Sequence, residues 1–329
     1  MATSKEIRES IKTLKNIRQN MQKAQWGCMH EDCNDTAINS HLLQRHGILD
    51  NIIEDGHMFE LRVNDMYRWA PNQSPIIFKR IGLNDAISHP LYCSKHDTEL
   101  FIDIEKETPD LNNYRNLLLF SYRAICAEEF KKKFEAEYVN RILLARTLNF
   151  DPRFLTDLRT GYELGAKDLE TMKNTVMSEL DMPKNIFEFI HFEYPLFPIY
   201  ASAIFSFETN FSKLASPELW DGFIVHIIPF KERLHVVFGY LKTALNTDMQ
   251  SYLEKWKNVD KERLGIMLTD LFAHRIEQFG LSPALYRSIK SEPLEKYFKF
   301  QTSQQYDYNM KSFADFNMFE GEIWDSYNM

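Results

Sequence analysis

The chain has 329 residues, 44% hydrophobic and 14% aromatic, enough for one large domain or two ordinary ones with separate cores. A net charge of −8 excludes a generally basic nucleic-acid coat, and no apolar run reaches the roughly 20 residues of a membrane span. Four cysteines are too few for a disulfide scaffold, and the charged first residues carry no apolar signal segment, so a reducing, cytoplasmic setting is expected.

Ile7, Ile11, Leu14, Ile17 and Met21 recur at spacings of three and four, which predicts a helix over 4–24. Within residues 1–25 six Lys and Arg stand against Glu6 and Glu9, so this helix is basic. Cys28 and Cys33 then frame a tight turn, a knuckle presenting two thiols, and 36–41 read as a strand ending in Ser40 and His41. Residues 42–53 suit a short helix broken at Gly47. Met58–Val63 and Ile76–Ile81 read as a hairpin joined through turn residues at 69–74. Cys93 and His96 follow, leading into a helix from Thr98.

Asp110 caps a long helical stretch in which Phe130, Phe134, Tyr138 and Ile142 fall four apart, giving one or two helices over about 112–147. Residues 151–180 are a second helical region, interrupted near Gly161 and Gly165. From 185 to 241 four aromatic and β-branched runs, separated by proline and turn residues, predict a mostly antiparallel sheet. Helices return at about 243–257, 260–278 and 283–290. The end of the chain is acidic and rich in aromatics: Tyr306, Tyr308, Phe313, Phe316, Phe319 and Trp324. Such a tail docks onto the body of the protein or onto a partner.

Two close pairs, Cys28-x4-Cys33 and Cys93-x2-His96, supply the four soft or borderline donors one tetrahedral zinc ion needs. Zinc there would staple a module too small for its own core, so its binding energy would be folding energy. His41 is the alternative fourth ligand, and Cys126 reads as a helical core residue. His191, His226 and His235 lie in strand segments where they could converge, although such histidines are usually core or polar-face residues. His274, Arg275 and Glu277 read as charge pairing at a helix end. No Gly-rich phosphate loop and no Gly-x-Ser-x-Gly elbow occurs.

Over residues 26–103 the knuckle, the His41 strand, the hairpin and the second pair at a helix start resemble treble-clef fingers, and in particular zinc-braced HNH (ββα-metal) endonucleases. The resemblance implies that Cys28, Cys33, Cys93 and His96 hold a structural zinc ion. It implies His41 as general base, Asn84 as the orienting Asn, and Asp97 as the ligand of a catalytic Mg²⁺ or Mn²⁺. The chain departs from that pattern in having Ser40 where an acidic residue usually precedes the histidine. His96 also replaces a cysteine, and Asp97 replaces Asn or His. The wider pattern, with Gly56-His57, the 118–124 helical segment and 277–283, is similar to a group of bacterial proteins. Some HNH-bearing proteins of this build act in phage defence.

The expectation is therefore an α+β protein. Residues 1–105 form a basic helix plus a zinc-binding treble-clef module. Residues 106–299 form a larger domain of a helical pair, about four strands and C-terminal helices, and 300–329 form the tail. The function expected is metal-dependent nuclease action, with nucleic acid bound through the N-terminal module. The alternative is a non-catalytic zinc-finger protein whose large domain and tail bind a protein partner or ligand. Self-association through the first helix or the tail is a further option, and no membrane role is expected.

Overall fold

A computed structural model describes residues 4–63, 76–145, 148–206, 222–304 and 313–329. The fold is α+β with antiparallel sheets and an N-terminal helix. No helix among these residues is long and apolar enough to cross a membrane. Two compact units emerge, and they do not follow the boundaries read from the sequence: 1–40, 89–99 and 125–175 form one, and 41–88, 100–124 and 176–329 the other.

The first unit is built on helices. α1 (Ser4–Gln22) buries Leu14 and Met21, and Arg18 forms an ion pair with Glu135 at 2.5 Å. Trp26 packs edge-on to Phe130, with ring centroids 5.1 Å apart. These partners lie on α3 (Tyr114–Leu144), whose four-residue repeat of Phe130, Phe134, Tyr138 and Ile142 makes one continuous helix of 31 residues. The α1 stripe thus finds its partner within the chain, although Ile7 stays 50% exposed.

α4 (Pro152–Asp181) corrects an expectation: it runs unbroken through Gly161 and Gly165. A mid-helix glycine costs about 1 kcal/mol, too little to break a helix anchored by buried Leu155, Ala166, Leu169 and Met172. A buried carboxylate, Glu129, joins α3 to α4 through Lys173 at 3.0 Å and is also paired with Lys133.

The second unit centres on a seven-stranded antiparallel sheet. Its strands are β2 (His57–Val63), β3 (Ile76–Gly82), β5 (Phe187–Pro195), β6 (Ile199–Ser206), β7 (Gly222–Phe230), β8 (Arg233–Leu241) and β9 (Gly280–Leu281), in the order β3-β2-β9-β6-β7-β8-β5. The four strands expected after 185 are β5 to β8. The β2–β3 hairpin, expected inside the zinc module, instead joins this sheet. The two-residue β9 bridges it to β6, through Glu60↔Gly280 and Tyr200↔Gly280. Gly280 is required there, because a Cβ would collide with the Tyr200 ring. The expected turn at 69–74 lies outside the described residues.

One face of the sheet is apolar. Val225, Ile227, Val236 and Phe238 pack on α5 (Thr247–Glu254), α6 (Lys261–Asp270) and α7 (Ser291–Gln304). The tail belongs to this core. Met318 and Phe319 are fully buried, and Phe319, Trp324 and Tyr327 surround Phe197. Asp270 fixes the tail by accepting from the Ala314 amide, and is itself paired with buried Arg275 at 3.2 Å. Tyr306 and Tyr308 lie outside the described residues. The opposite face is mixed: buried Ile224, Ile228 and Val237 share it with polar side chains in register, namely Glu60, Tyr200, Ser202, His226, His235 and His191.

Residues 42–53 are turns and a short 3-10 segment rather than a helix. Gly47 adopts φ +96°, and a Cβ would sit 2.6 Å from the Glu107 carbonyl oxygen.

Candidate metal centre

The knuckle is held by backbone bonds. The Cys28 amide donates to Asp35, the Cys33 amide to His30, and Gly27 bridges Thr36. Asp32 closes the turn at φ +56°, a left-handed conformation that Asp tolerates better than most residues. β1 (Ile38–His41) follows and pairs with β4 (Ser88–Tyr92). Strand alternation turns Ser40 inward, where its hydroxyl accepts from the Tyr92 amide at 3.4 Å, and leaves His41 partly exposed. Cys93 sits between β4 and α2 (Ser94–Phe101), and His96 lies in the first turn of α2. The Met29 amide donates to Leu91 at 2.7 Å and clips the knuckle to β4.

These elements bring four donors together. Cys33 Sγ lies 3.9 Å from Cys93 Sγ, and His96 Nδ1 lies 3.5 Å from Cys28 Sγ and 3.4 Å from Cys93 Sγ. All four atoms fall within 4.8 Å of one another. A tetrahedral zinc ion, with Zn–S about 2.3 Å and Zn–N about 2.05 Å, spaces sulfurs by about 3.8 Å and sulfur from nitrogen by about 3.6 Å. The donor set fits zinc in type, number and spacing, and the fourth donor is His96 rather than His41.

Two of the thiols are shifted in opposite directions. The His96 backbone N–H, at the start of α2, draws the Cys93 thiol below its ordinary range despite burial. The Asp35 backbone N–H acts the same way on Cys33, yet burial and the neighbouring Cys28 and Cys93 outweigh it and push that thiol up to about 11. Thiolates held this close repel one another, and a cation among them relieves that repulsion. Burial and the adjacent His30 lower His96, keeping its ring neutral as a ligand must be. The His30 ring stacks on it, with centroids 3.9 Å apart.

The residues assigned to catalysis are distributed between the units. His41 and Asn84 lie in the second, and the His41 Nε2 faces the Asn84 backbone carbonyl at 3.1 Å. A carbonyl only accepts, so Nε2 carries the hydrogen there, and the ring also bonds to the Leu83 backbone. Burial, followed by the charge of Arg45, lowers the His41 pKa. Arg45 is held by donating to Asn84 Oδ1 at 2.7 Å. Asp97 lies in the first unit, its amide bonded to the Cys93 carbonyl. Among the described residues neither His41 nor Asp97 belongs to a cluster of three or more metal-donor side chains.

Of the strand histidines, His226 is a core residue. Its Nδ1 lies 3.0 Å from the Ser202 hydroxyl, and burial pushes its pKa down to about 3. His191 and His235 do converge, and Glu193, which the sequence did not single out, joins them. Glu193 stands two residues from His191 on one strand, and only the strand register brings His235 to them. Arg275 is sequestered by Asp270 within the core. No family model, no curated protein and no solved structure matches this chain.

Proposed function

We propose that the chain is a zinc-braced hydrolase of nucleic-acid phosphodiesters, an HNH-like endonuclease in which His41 is the general base. One observation carries this reading: the bond from His41 Nε2 to the Asn84 carbonyl. It supports a tautomer with the hydrogen on Nε2 and Nδ1 as the basic atom, and burial with Arg45 favours the unprotonated ring.

His41 Nδ1 takes a proton from water as the water oxygen attacks phosphorus. The bond to the leaving sugar oxygen breaks, and that oxygen takes a proton from solvent. Arg45 supplies a fixed positive charge beside the ring. A bound Mg²⁺ or Mn²⁺ would stabilise the charge building on the phosphate. Such ions use one or two carboxylates together with water and substrate oxygens, and Asp97 is assigned that role by resemblance alone. Zinc, held by Cys28, Cys33, Cys93 and His96, would brace β1, β4 and α2 and take no part in the reaction.

The test incubates wild type and His41→Ala with plasmid and RNA in Mg²⁺ or Mn²⁺. Cleavage by wild type and loss in the variant are expected. A wild type that never cuts, or a variant that cuts equally well, overturns the reading. The closed ligand set of the zinc site favours one second reading, a structural finger in a non-catalytic binding protein, which predicts no cleavage by either chain. The defence setting implied by the resemblance predicts that expression lowers phage plaque counts, and that His41→Ala restores them.

A further inference from the structure

Antiparallel pairing sets Glu193 of β5 directly opposite His235 of β8, and His191 two residues back along β5, opposite Val237. Positions i and i+2 of a strand share a face with the cross-strand partner. The three side chains therefore converge on one face of the sheet by strand register alone. His191 Nε2 lies 2.9 Å from His235 Nδ1, and Glu193 Oε1 lies 3.9 Å from the first and 4.0 Å from the second. A triangle with these sides has a circumscribed radius of about 2.1 Å. One point thus sits at about the bond length zinc takes to imidazole nitrogen and carboxylate oxygen from all three atoms.

The surroundings suit a ligand set. His191 Nδ1 faces Asn112 Oδ1 at 3.3 Å. With its hydrogen given to that oxygen, the ring presents the Nε2 lone pair, as metal-bound histidines do when their other nitrogen is anchored. His235 needs only to carry its hydrogen on Nε2, a tautomer change without loss of a proton. The two histidines are 15% and 11% exposed and Glu193 is 51% exposed, so donors rooted in the sheet open to solvent on one side. β5 is the edge strand of the sheet, which gives an ion a path in.

We propose that His191, His235 and Glu193 form a second metal site, for a divalent transition metal such as zinc, with three protein ligands and an open position for water. Two imidazoles and a carboxylate select such ions over magnesium or calcium, which prefer all-oxygen shells. Four protein ligands close the Cys28 site. Three here leave the arrangement found where metals act as Lewis acids. The proposal does not depend on the nuclease reading, since it is read by metal content.

The test loads the full-length chain with cobalt(II), which distinguishes the sites. Thiolate-to-cobalt charge transfer reports the cysteine cluster, and ligand-field bands without it report the nitrogen and oxygen set. Two ions per wild-type chain are expected. The His191→Ala/His235→Ala chain should hold one and keep its charge-transfer band. Glu193→Gln and Asn112→Ala alter exposed side chains that the fold does not need. Asn112→Ala should weaken the second ion about 10–100-fold, and Glu193→Gln by at least as much, with unchanged circular dichroism. A wild type that binds only the thiolate-linked ion overturns the proposal, as does a double variant that still binds two. Unchanged affinity in both single variants does the same.

Discussion

His41→Ala and Asn84→Ala separate the proposed catalytic histidine from its support. Removing a general base lowers a rate by about 10²–10⁴-fold, and that loss is expected for His41→Ala. Asn84→Ala behaves differently, because the group that orients His41 is the Asn84 backbone carbonyl, 3.1 Å from Nε2. The variant keeps that carbonyl and loses only the side-chain oxygen that accepts from Arg45 at 2.7 Å. A charge-assisted hydrogen bond contributes about 1.5–3 kcal/mol where it is made. Only part of that bears on the ring, so a loss within about tenfold is expected.

The pH profile adds an independent check. His41 has a lowered pKa, so its free-base form persists below the ordinary imidazole range. The rate should hold level at neutral pH and decline only as pH falls through that lowered value. Arg45→Ala removes a charge that disfavours protonation, so the decline should begin at higher pH. The assay is the initial rate of supercoiled plasmid relaxation from pH 4.5 to 8.5 in Mn²⁺. Equal losses in His41→Ala and Asn84→Ala would refute the backbone-orientation argument. An Arg45→Ala profile displaced to lower pH would refute the electrostatic one.

Cys93→Ala should cut zinc affinity by about 10²–10³-fold, if four ligands share roughly equally the 10–16 kcal/mol of a structural zinc site. His41→Ala should bind zinc as wild type does, and competition with a chromophoric chelator reads both. Arg275→Met strands the buried Asp270 carboxylate, at a cost of about 3–5 kcal/mol near neutral pH. Burial raises the Asp270 pKa above its unfolded value against the pull of Arg275, so its contribution is full at acid pH and declines as pH rises through the folded value. Urea melts should therefore show a larger loss at pH 8 than at pH 5. Asp270→Asn/Arg275→Met should recover most of it, and a pH-independent loss would count against the ion pair.

The readable parts of this fold were those with a repeating local cause. Apolar residues three and four apart marked α1 and α3, and β-branched runs between prolines marked β5 to β8. The metal donors were legible because cysteine and histidine at close spacing carry their chemistry in their identity. What escaped depends on partners distant in sequence. The two residues of β9 show no period, yet Gly280 links Glu60 to Tyr200 and draws β2 and β3 into the large sheet. Gly161 and Gly165 suggested a break that burial on the rest of α4 overrides. Glu193 shares β5 with His191, but it meets His235, 42 residues on, only through strand pairing at a register no spacing rule reveals. The tail's aromatics signalled docking, and the Phe197 cage shows where Phe319, Trp324 and Tyr327 dock.

Everything proposed for the N-terminal unit starts from zinc at the Cys28, Cys33, Cys93 and His96 cluster, which X-ray absorption at the zinc edge reads directly. The His191→Ala/His235→Ala chain is the sample of choice, since it isolates the cysteine cluster. One zinc ion with three sulfur neighbours at about 2.3 Å and one nitrogen at about 2.0–2.1 Å is expected. A chain without zinc, or zinc surrounded only by nitrogen and oxygen, would contradict it.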